Sequence, residues 1–225
     1  MNTLKLSSTK RPIRRILVVD GMELIRVALV QIISAVSNLI VCAATGDYDE
    51  VEDLIERHRP HLMIAEPFHE NRDGILWIKD LAAQFPQTKI LIASSNAEAT
   101  YAERALRAGA SGYWMKRGTA SRLLQAIETV LSGDLYVSPR IALLALHKLI
   151  DRSSPNSVAV AALSDRELHV FALIGAGHGV SRIAQQLGIS RKTVEAHCEH
   201  IKLKLRYRDA IALKHGAREL LGSRS

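Results

Sequence analysis

The feature that most constrains the fold is a regular alternation of short apolar runs with longer amphipathic stretches over residues 13–132. Each apolar run has the length and composition of a buried strand, and each stretch between them repeats apolar residues at helical spacing. The run at 16–19, for example, ends in Asp20 and is followed by helical periodicity over 22–36. Strands that alternate with helices form a parallel sheet covered on both faces. The sequence therefore predicts a doubly wound α/β domain.

Five strand–helix pairs are predicted in this region. The strands are at 16–19, 39–44, 61–65, 89–93 and 112–114, and the helices at 22–36, 47–57, 75–84, 97–108 and 120–131. Ligands of such sheets bind at the carboxyl ends of the strands, near the point where the strand order reverses. Polar side chains at or just after the ends of four predicted strands therefore predict a polar pocket: Asp20, Glu66, Ser94 and Lys116.

A helix–turn–helix pattern follows in the C-terminal third of the chain. A short predicted helix at 180–187 meets Gly188, which suits the left-handed residue that ends a helix, and Ser190, a good N-cap for the next one. The second helix turns a polar face outward and keeps one apolar stripe, formed by Val194, Cys198, Ile201 and Leu205. This geometry presents a second helix to the major groove of DNA.

Two further helices complete this predicted all-α unit. The first covers 165–174 and starts at Ser164, with Glu167 at the capping-box position. The last covers 208–221 and is largely apolar. Between the two domains, Ser138-Pro139 predicts the start of a linker helix.

Charge is distributed unevenly along the 225 residues. Residues 13–138 hold 13 Lys and Arg against 16 Asp and Glu, whereas residues 159–225 hold 11 against 6. A basic C-terminal domain beside a mildly acidic one predicts that only the former contacts a polyanion, although a merely basic solvated surface is the alternative. No apolar run is long enough to span a bilayer, and the basic N-terminus has no signal-peptide core, so no membrane association is expected.

Neither the cysteines nor the histidines predict a metal site. Cys42 and Cys198 fall in different predicted domains and in apolar surroundings, which predicts free buried thiols in a reducing cytoplasm. His197 and His200 are three residues apart, but no further ligand is placed to join them. We therefore expect no metal site.

Several motifs resemble a known family. Residues 13–132, with ILVVD, PHLMIAEPFHENRDG and ALRAGASGYWMK, resemble the flavodoxin-like receiver domain of two-component response regulators. The run from LSDREL to IAQQLGISRKTVEAH resembles the LuxR-type helix-turn-helix, and the whole order is similar to the NarL/FixJ family of transcription regulators. The resemblance implies a basic tail at 1–12, a receiver at 13–132, a linker with a helix at 133–159 and a DNA-binding domain at 160–225. It implies double-stranded DNA as ligand, a homodimer that pairs through an exposed apolar strip of the last helix, and a sensor kinase or another regulator as a possible partner. It also implies no enzymatic activity and no cofactor.

The receiver departs from the family pattern at two positions. The family has two adjacent acids after its first strand, where this chain has Asp20 and Gly21, and an aspartate phosphoacceptor where this chain has Glu66. The hydroxyl, switch-aromatic and lysine positions are kept as Ser94, Tyr113 and Lys116. Because the family's acids hold Mg²⁺ in near-octahedral geometry, losing one and lengthening another predicts a receiver that is not phosphorylated by the usual route.

Two interpretations of Glu66 stay open at this point. In the first interpretation its longer carboxylate reaches toward Lys116 and Ser94, where phosphoryl oxygens would lie, and holds an active-like state. In the alternative interpretation the pocket is a remnant, and Glu66 forms a buried ion pair with Lys116.

The outward face of residues 191–204 is the predicted DNA-binding surface. Base contacts are expected from Lys192, Thr193, Glu195, Ala196 and Glu199. Phosphate contacts are expected from Ser181, Arg182, Arg191, Lys192, Thr193, Lys202 and Lys204. His197 and His200 either donate to phosphates or pack inside the domain. Since relatives often carry basic residues at the positions of Glu195 and Glu199, these acids predict either a cytosine-bearing site or a protein-interaction module with secondary DNA binding.

Overall fold

A computed structural model describes residues 12–68, 74–143 and 162–222, which divide into two compact units. The first unit is a five-stranded parallel sheet with the strand order β2-β1-β3-β4-β5. Its strands are β1 (Arg14–Val19), β2 (Leu39–Thr45), β3 (Leu62–Ala65), β4 (Lys89–Ser94) and β5 (Gly112–Met115). The predicted doubly wound α/β class is therefore confirmed.

Five helices connect and cover these strands: α1 (Glu23–Ser34), α2 (Val51–His58), α3 (Gly74–Gln84), α4 (Glu98–Arg107) and α5 (Ala120–Leu131). The helix predicted from residue 47 begins later, at Val51, because local hydrogen bonds occupy its expected first turn. The Asp47 N–H donates to Thr45 Oγ1 at 2.9 Å, and the Asp49 N–H donates to Asp47 Oδ1 at 2.9 Å. Short polar side chains compete with helical hydrogen bonds in this way.

One hydrophobic core lies between the sheet and the helices α1 and α5. Ile16, Val18, Ile64 and Leu91 from the central strands are fully buried. They pack with Leu29, Ile33, Leu123, Ala126, Ile127 and Val130 from the two helices. Since β2 and β3 lie on opposite sides of β1, the strand order reverses there, and the carboxyl ends of β1 and β3 lie side by side at the switch point.

The second unit is all-α and contains α6 (Asp165–Gly175), α7 (Val180–Leu187), α8 (Arg191–Leu205) and α9 (Ala210–Gly222). Ser164 and Glu167 form the predicted capping box of α6. The final helix begins at Ala210 rather than at residue 208, because Asp209 Oδ1 accepts the N–H of Ala212 at 2.7 Å and so caps it.

The linker is described only at its start. Residues 139–143 are helical, and Ser138 accepts the N–H groups of Ile141 and Ala142, as predicted for an N-cap. The remainder of the predicted linker helix and most of the basic tail lie outside the described residues. Both cysteines are free and half-buried rather than fully buried. None of the described helices is long and apolar enough to cross a bilayer.

Candidate functional site

Three strand ends bring the side chains of Lys116, Asp20 and Glu66 together. The Lys116 Nζ lies 2.6 Å from Asp20 Oδ2 and 3.1 Å from Glu66 Oε2. These side chains are 6%, 1% and 13% exposed, respectively, so the three charges form a nearly dry ion triad. The Lys116 N–H also donates to the Ser94 carbonyl at 2.9 Å, which extends the β4–β5 ladder by one residue and fixes the lysine backbone.

The carboxylates of the triad also accept backbone hydrogen bonds. Asp20 Oδ1 accepts the N–H of Met22 at 2.9 Å, and Glu66 Oε2 accepts the N–H of Ser95 at 3.3 Å. The Tyr48 hydroxyl donates to the Glu66 carbonyl at 2.7 Å and so holds the backbone that carries this acid. Buried charges are tolerated where opposite charges and donors meet their oxygens, as they do here.

Ser94 and Tyr113 fix the loop that follows β4. The buried Ser94 Oγ accepts the N–H of Asn96 at 3.1 Å, and the Tyr113 hydroxyl donates to the Asn96 carbonyl at 3.0 Å. Burial strongly raises the pKa of Tyr113, so the phenol stays protonated and remains a donor at neutral pH. Tyr113 is fully buried, and its ring therefore points into the domain.

The pocket does not fit the divalent cation that the receiver fold implies. Gly21 offers no side-chain ligand, and Lys116 already supplies a positive charge between Asp20 and Glu66. A metal ion would have to displace this ammonium from both carboxylates and find further oxygen ligands. Among the described residues, no group of three His, Cys, Asp or Glu side chains is arranged to hold a metal ion.

The helix–turn–helix has the predicted geometry. Gly188 ends α7 in the left-handed conformation at φ 64°, and Ser190 Oγ accepts the N–H of Thr193 at 3.0 Å at the start of α8. Val194 and Ile201 are buried, whereas Cys198 and Leu205 of the predicted stripe are only half-buried. Most of the predicted DNA-contacting side chains are exposed: Ser181, Arg182, Arg191, Lys192, Thr193, Glu195, Ala196, Glu199 and Lys204.

Two side chains that were predicted to contact phosphates instead form ion pairs within the domain. Lys202 Nζ lies 2.8 Å from Glu199 Oε1, and Lys204 Nζ lies 2.6 Å from Glu167 Oε2. Burial would raise the pKa of Glu167, but hydrogen bonds from Lys204 and Ser164 outweigh it and lower the pKa overall. Lys204 thus ties α8 to the start of α6.

The two histidines of α8 differ in exposure. His197 is half-buried, and desolvation lowers its pKa, which favours packing over donation to phosphates. His200 is exposed, with its Nδ1 3.8 Å from Glu167 Oε1.

Sequence reasoning missed the groups that hold the sites in place. The Ser95 and Met22 amides belong to the backbone, which has no sequence signal. Glu167 is recognisable as a capping residue, but its contact with Lys204 spans 37 residues and has no local pattern.

Two family models match the chain. The response regulator receiver domain matches residues 16–128, and the luxR family of bacterial regulatory proteins matches residues 161–215. The oxygen regulatory protein NreC of Staphylococcus epidermidis is 30% identical over 197 residues, which are 85% of this chain and 90% of that protein.

Solved structures agree with this result at the level of the fold. RcsB from Salmonella enterica, bound to the promoter rprA in the presence of a phosphomimetic, is 20% identical. Its TM-score is 0.56, over 90% of this chain and 97% of that one. A LuxR-family two-component response regulator from Aurantimonas is 27% identical, with a TM-score of 0.57 over 61% of this chain and 99% of its own.

Proposed function

This chain belongs to the LuxR-type response regulators, which are DNA-binding transcription regulators and not enzymes, and we propose that its receiver works without phosphorylation. The observation that carries the proposal is the ion triad, in which Lys116 lies between Asp20 and Glu66. We propose double-stranded DNA as its ligand and the cytoplasm as its location.

The contacts of the triad disfavour phosphoryl transfer to Glu66. An acceptor oxygen must approach the donor phosphorus in line, beside a metal ion that neutralises the developing charge. Glu66 Oε2 instead contacts both the Lys116 ammonium and the Ser95 amide. The residue directly after Asp20 is Gly21, so the adjacent acid of the family pattern is missing. Phosphorylation would require the triad to open without a metal to replace the charge of Lys116.

Glu66 also supports an active-like receiver. Its Oε2 contacts Lys116 and the Ser95 amide at once, so one carboxylate connects the end of β5 to the loop after β4. A phosphoryl group carries more charge and three oxygens, so the mimicry is partial. Comparing the dimerisation of wild type with that of Glu66→Gln tests this role. An unchanged monomer–dimer equilibrium would exclude the mimicry and favour the interpretation of the pocket as a remnant.

The DNA surface comprises the exposed side chains of α7 and the outward face of α8. Arg182 and Arg191 are exposed cations suited to phosphate contacts, and the exposed Lys192 is suited to phosphates or to base acceptors. Two phosphate contacts per protomer predict that the logarithm of a dimer's binding constant falls with the logarithm of salt concentration with a slope of about −4.

Enrichment of genomic DNA fragments by the purified full-length protein tests DNA binding directly. We expect a discrete set of fragments at low salt, lost as salt rises. The variant Arg191→Ala/Lys192→Ala should weaken binding to all fragments, whereas Arg57→Ala, which removes an exposed charge from α2, should not. No enrichment at low salt would favour the alternative function, a module that pairs with a kinase or another regulator.

We further propose a homodimer on DNA. A solved structure of the relative RcsB contains two dimers bound to two parallel DNAs. Here Ile211 on α9 is 81% exposed, and burying such an apolar side chain against a second copy removes it from water. The protomers should bind half-sites about 10 base pairs apart. Sedimentation of Ile211→Glu should show a weaker dimer, and an unchanged equilibrium would exclude α9 as the dimer contact.

A further inference from the structure

The two glutamates on the outward side of α8 differ in their surroundings. Glu199 is neutralised by Lys202, whose Nζ lies 2.8 Å from its Oε1. Glu195 lies one turn earlier, is exposed, and has no ion-pair or hydrogen-bond partner among the described residues. The sequence presents two equivalent acids, whereas the structure presents one charge-balanced pair and one bare carboxylate.

We infer that Glu195 determines the sequence specificity of α8, the helix proposed to enter the major groove, and that it selects cytosine in the DNA site. The inference rests on the proposed DNA-binding function and deepens it. A bare carboxylate brought close to phosphates is repelled, so binding retains its affinity only where a base donates a hydrogen bond to that carboxylate.

The edges of the bases in the major groove explain why cytosine is preferred. Guanine presents only acceptors there, and thymine presents an acceptor and a methyl group, so both repel or fail to satisfy a carboxylate. Adenine offers its N6 amino group, but beside the N7 acceptor, which disfavours a group that can only accept. Cytosine offers the N4 amino group as its hydrogen-bonding group on that edge.

The neighbours of Glu195 fit a cytosine·guanine pair. Lys192 lies three residues before it, is exposed, and is an unpaired cation among the described residues. Residues three apart on a helix are neighbours on its surface. Lysine donates to the O6 and N7 acceptors of guanine, so Glu195 and Lys192 together match the cytosine donor and the acceptors of a nearby guanine. Ala196, also exposed, is too small to block this approach.

Selection of binding sites from a random duplex library by the full-length protein tests the inference. Wild type, Glu195→Gln, Glu195→Ala and Glu199→Gln are compared, with Glu56→Gln on α2 as the control that removes one exposed acid elsewhere. Wild type should enrich cytosine at one fixed position per half-site. Glu195→Gln should change that position to adenine, because glutamine both donates and accepts.

Two results refine this test. Glu195→Ala should lose the preference, roughly fivefold or more in the ratio of cytosine to other bases. Placing N4-methylcytosine at the selected position should weaken wild-type binding by a similar factor while leaving Glu195→Ala unaffected, because the methyl group replaces the amino hydrogen that faces the groove.

The outcomes separate the inference from the proposed function. If every variant selects the same bases, or if Glu199→Gln shifts the preference as much as Glu195→Gln does, the assignment to Glu195 is overturned while DNA binding stands. If wild type enriches no sequence and binds no duplex at low salt, both fail.

Discussion

At the scale of single residues, the proposed function depends on how the three charges of Asp20, Glu66 and Lys116 are balanced. Asp20 and Glu66 carry two negative charges against the one positive charge of Lys116, and the amides of Met22 and Ser95 supply the remaining donors. Removing one member of a buried ion cluster is far more costly than never having built it. Lys116 should therefore be the residue on which the stability of the pocket most depends.

Replacing Lys116 with methionine should leave two like charges facing each other without a counter-ion. We expect a loss of about 3–5 kcal/mol in the free energy of unfolding of the receiver, measured by urea denaturation at pH 7. Lys79→Met, at an exposed position on α3, serves as the control and should stay within about 0.5 kcal/mol of wild type. Adding Glu66→Gln to Lys116→Met should recover part of the loss, and no recovery would contradict the proposed balance of charges.

His169 on α6 makes the C-terminal unit sensitive to acid. Burial and the nearby positive charge of Arg166 lower the pKa of His169 to about 4. Because this value lies below the ordinary pKa of about 6.5, the unfolded chain binds more protons between the two. Stability should therefore fall as the pH drops below about 6.5, by at most about 3 kcal/mol when the pH reaches the folded pKa.

Hydrogen–deuterium exchange of the α6 amides at several pH values measures this loss. His169→Asn should flatten the dependence between pH 6.5 and 4, whereas His215→Asn, at an exposed position on α9, should leave it unchanged. An equally steep dependence in His169→Asn would assign the acid sensitivity to other groups.

At the scale of elements, α8, the proposed recognition helix, is fixed at both ends. Ser190 caps its start, and Lys204 near its end binds Glu167, whose other contact caps α6. Tyr207, which lies between α8 and α9, stacks its ring on Phe171 of α6 with a centroid separation of 6.4 Å. Close contact of Gly216 with Tyr207 then sets the position of α9.

Gly216→Ala should destabilise the C-terminal unit although alanine favours helix. The added methyl group would overlap the ring and hydroxyl of Tyr207, which is held by its stacking on Phe171. Overpacking of this kind costs about 1–3 kcal/mol, more than the ~1 kcal/mol gained in helix propensity. Lys214→Ala, at an exposed position on the same helix, is the control in chemical denaturation. An increase in stability for Gly216→Ala would show that Tyr207 moves aside freely.

Local features were predictable from the sequence, and long-range ones were not. Gly188, Ser190 and Ser164 act through neighbours within a few residues, so their roles follow from the sequence. The convergence of Asp20, Glu66 and Lys116 followed from the rule for parallel strands, but the geometry of the triad did not. The start of α2 was mispredicted because hydrogen bonds of Asp47 to its neighbours outweigh helical periodicity.

At the scale of the whole molecule, the two units have complementary chemistry. The receiver is mildly acidic and has a closed pocket, whereas residues 159–225 carry the excess of positive charge that suits DNA. We propose that the ion triad of Lys116, Asp20 and Glu66 supports DNA binding with no phosphoryl group and no metal ion.

The most direct test is the affinity of the full-length protein for a selected DNA site, measured before and after treatment with acetyl phosphate and Mg²⁺, with the intact mass of each sample. We predict that the treatment changes neither the mass nor the DNA affinity of the wild-type protein. Glu66→Gln should bind DNA more weakly than wild type both before and after the treatment. A mass gain of one phosphoryl group in wild type, accompanied by tighter DNA binding, would contradict the account.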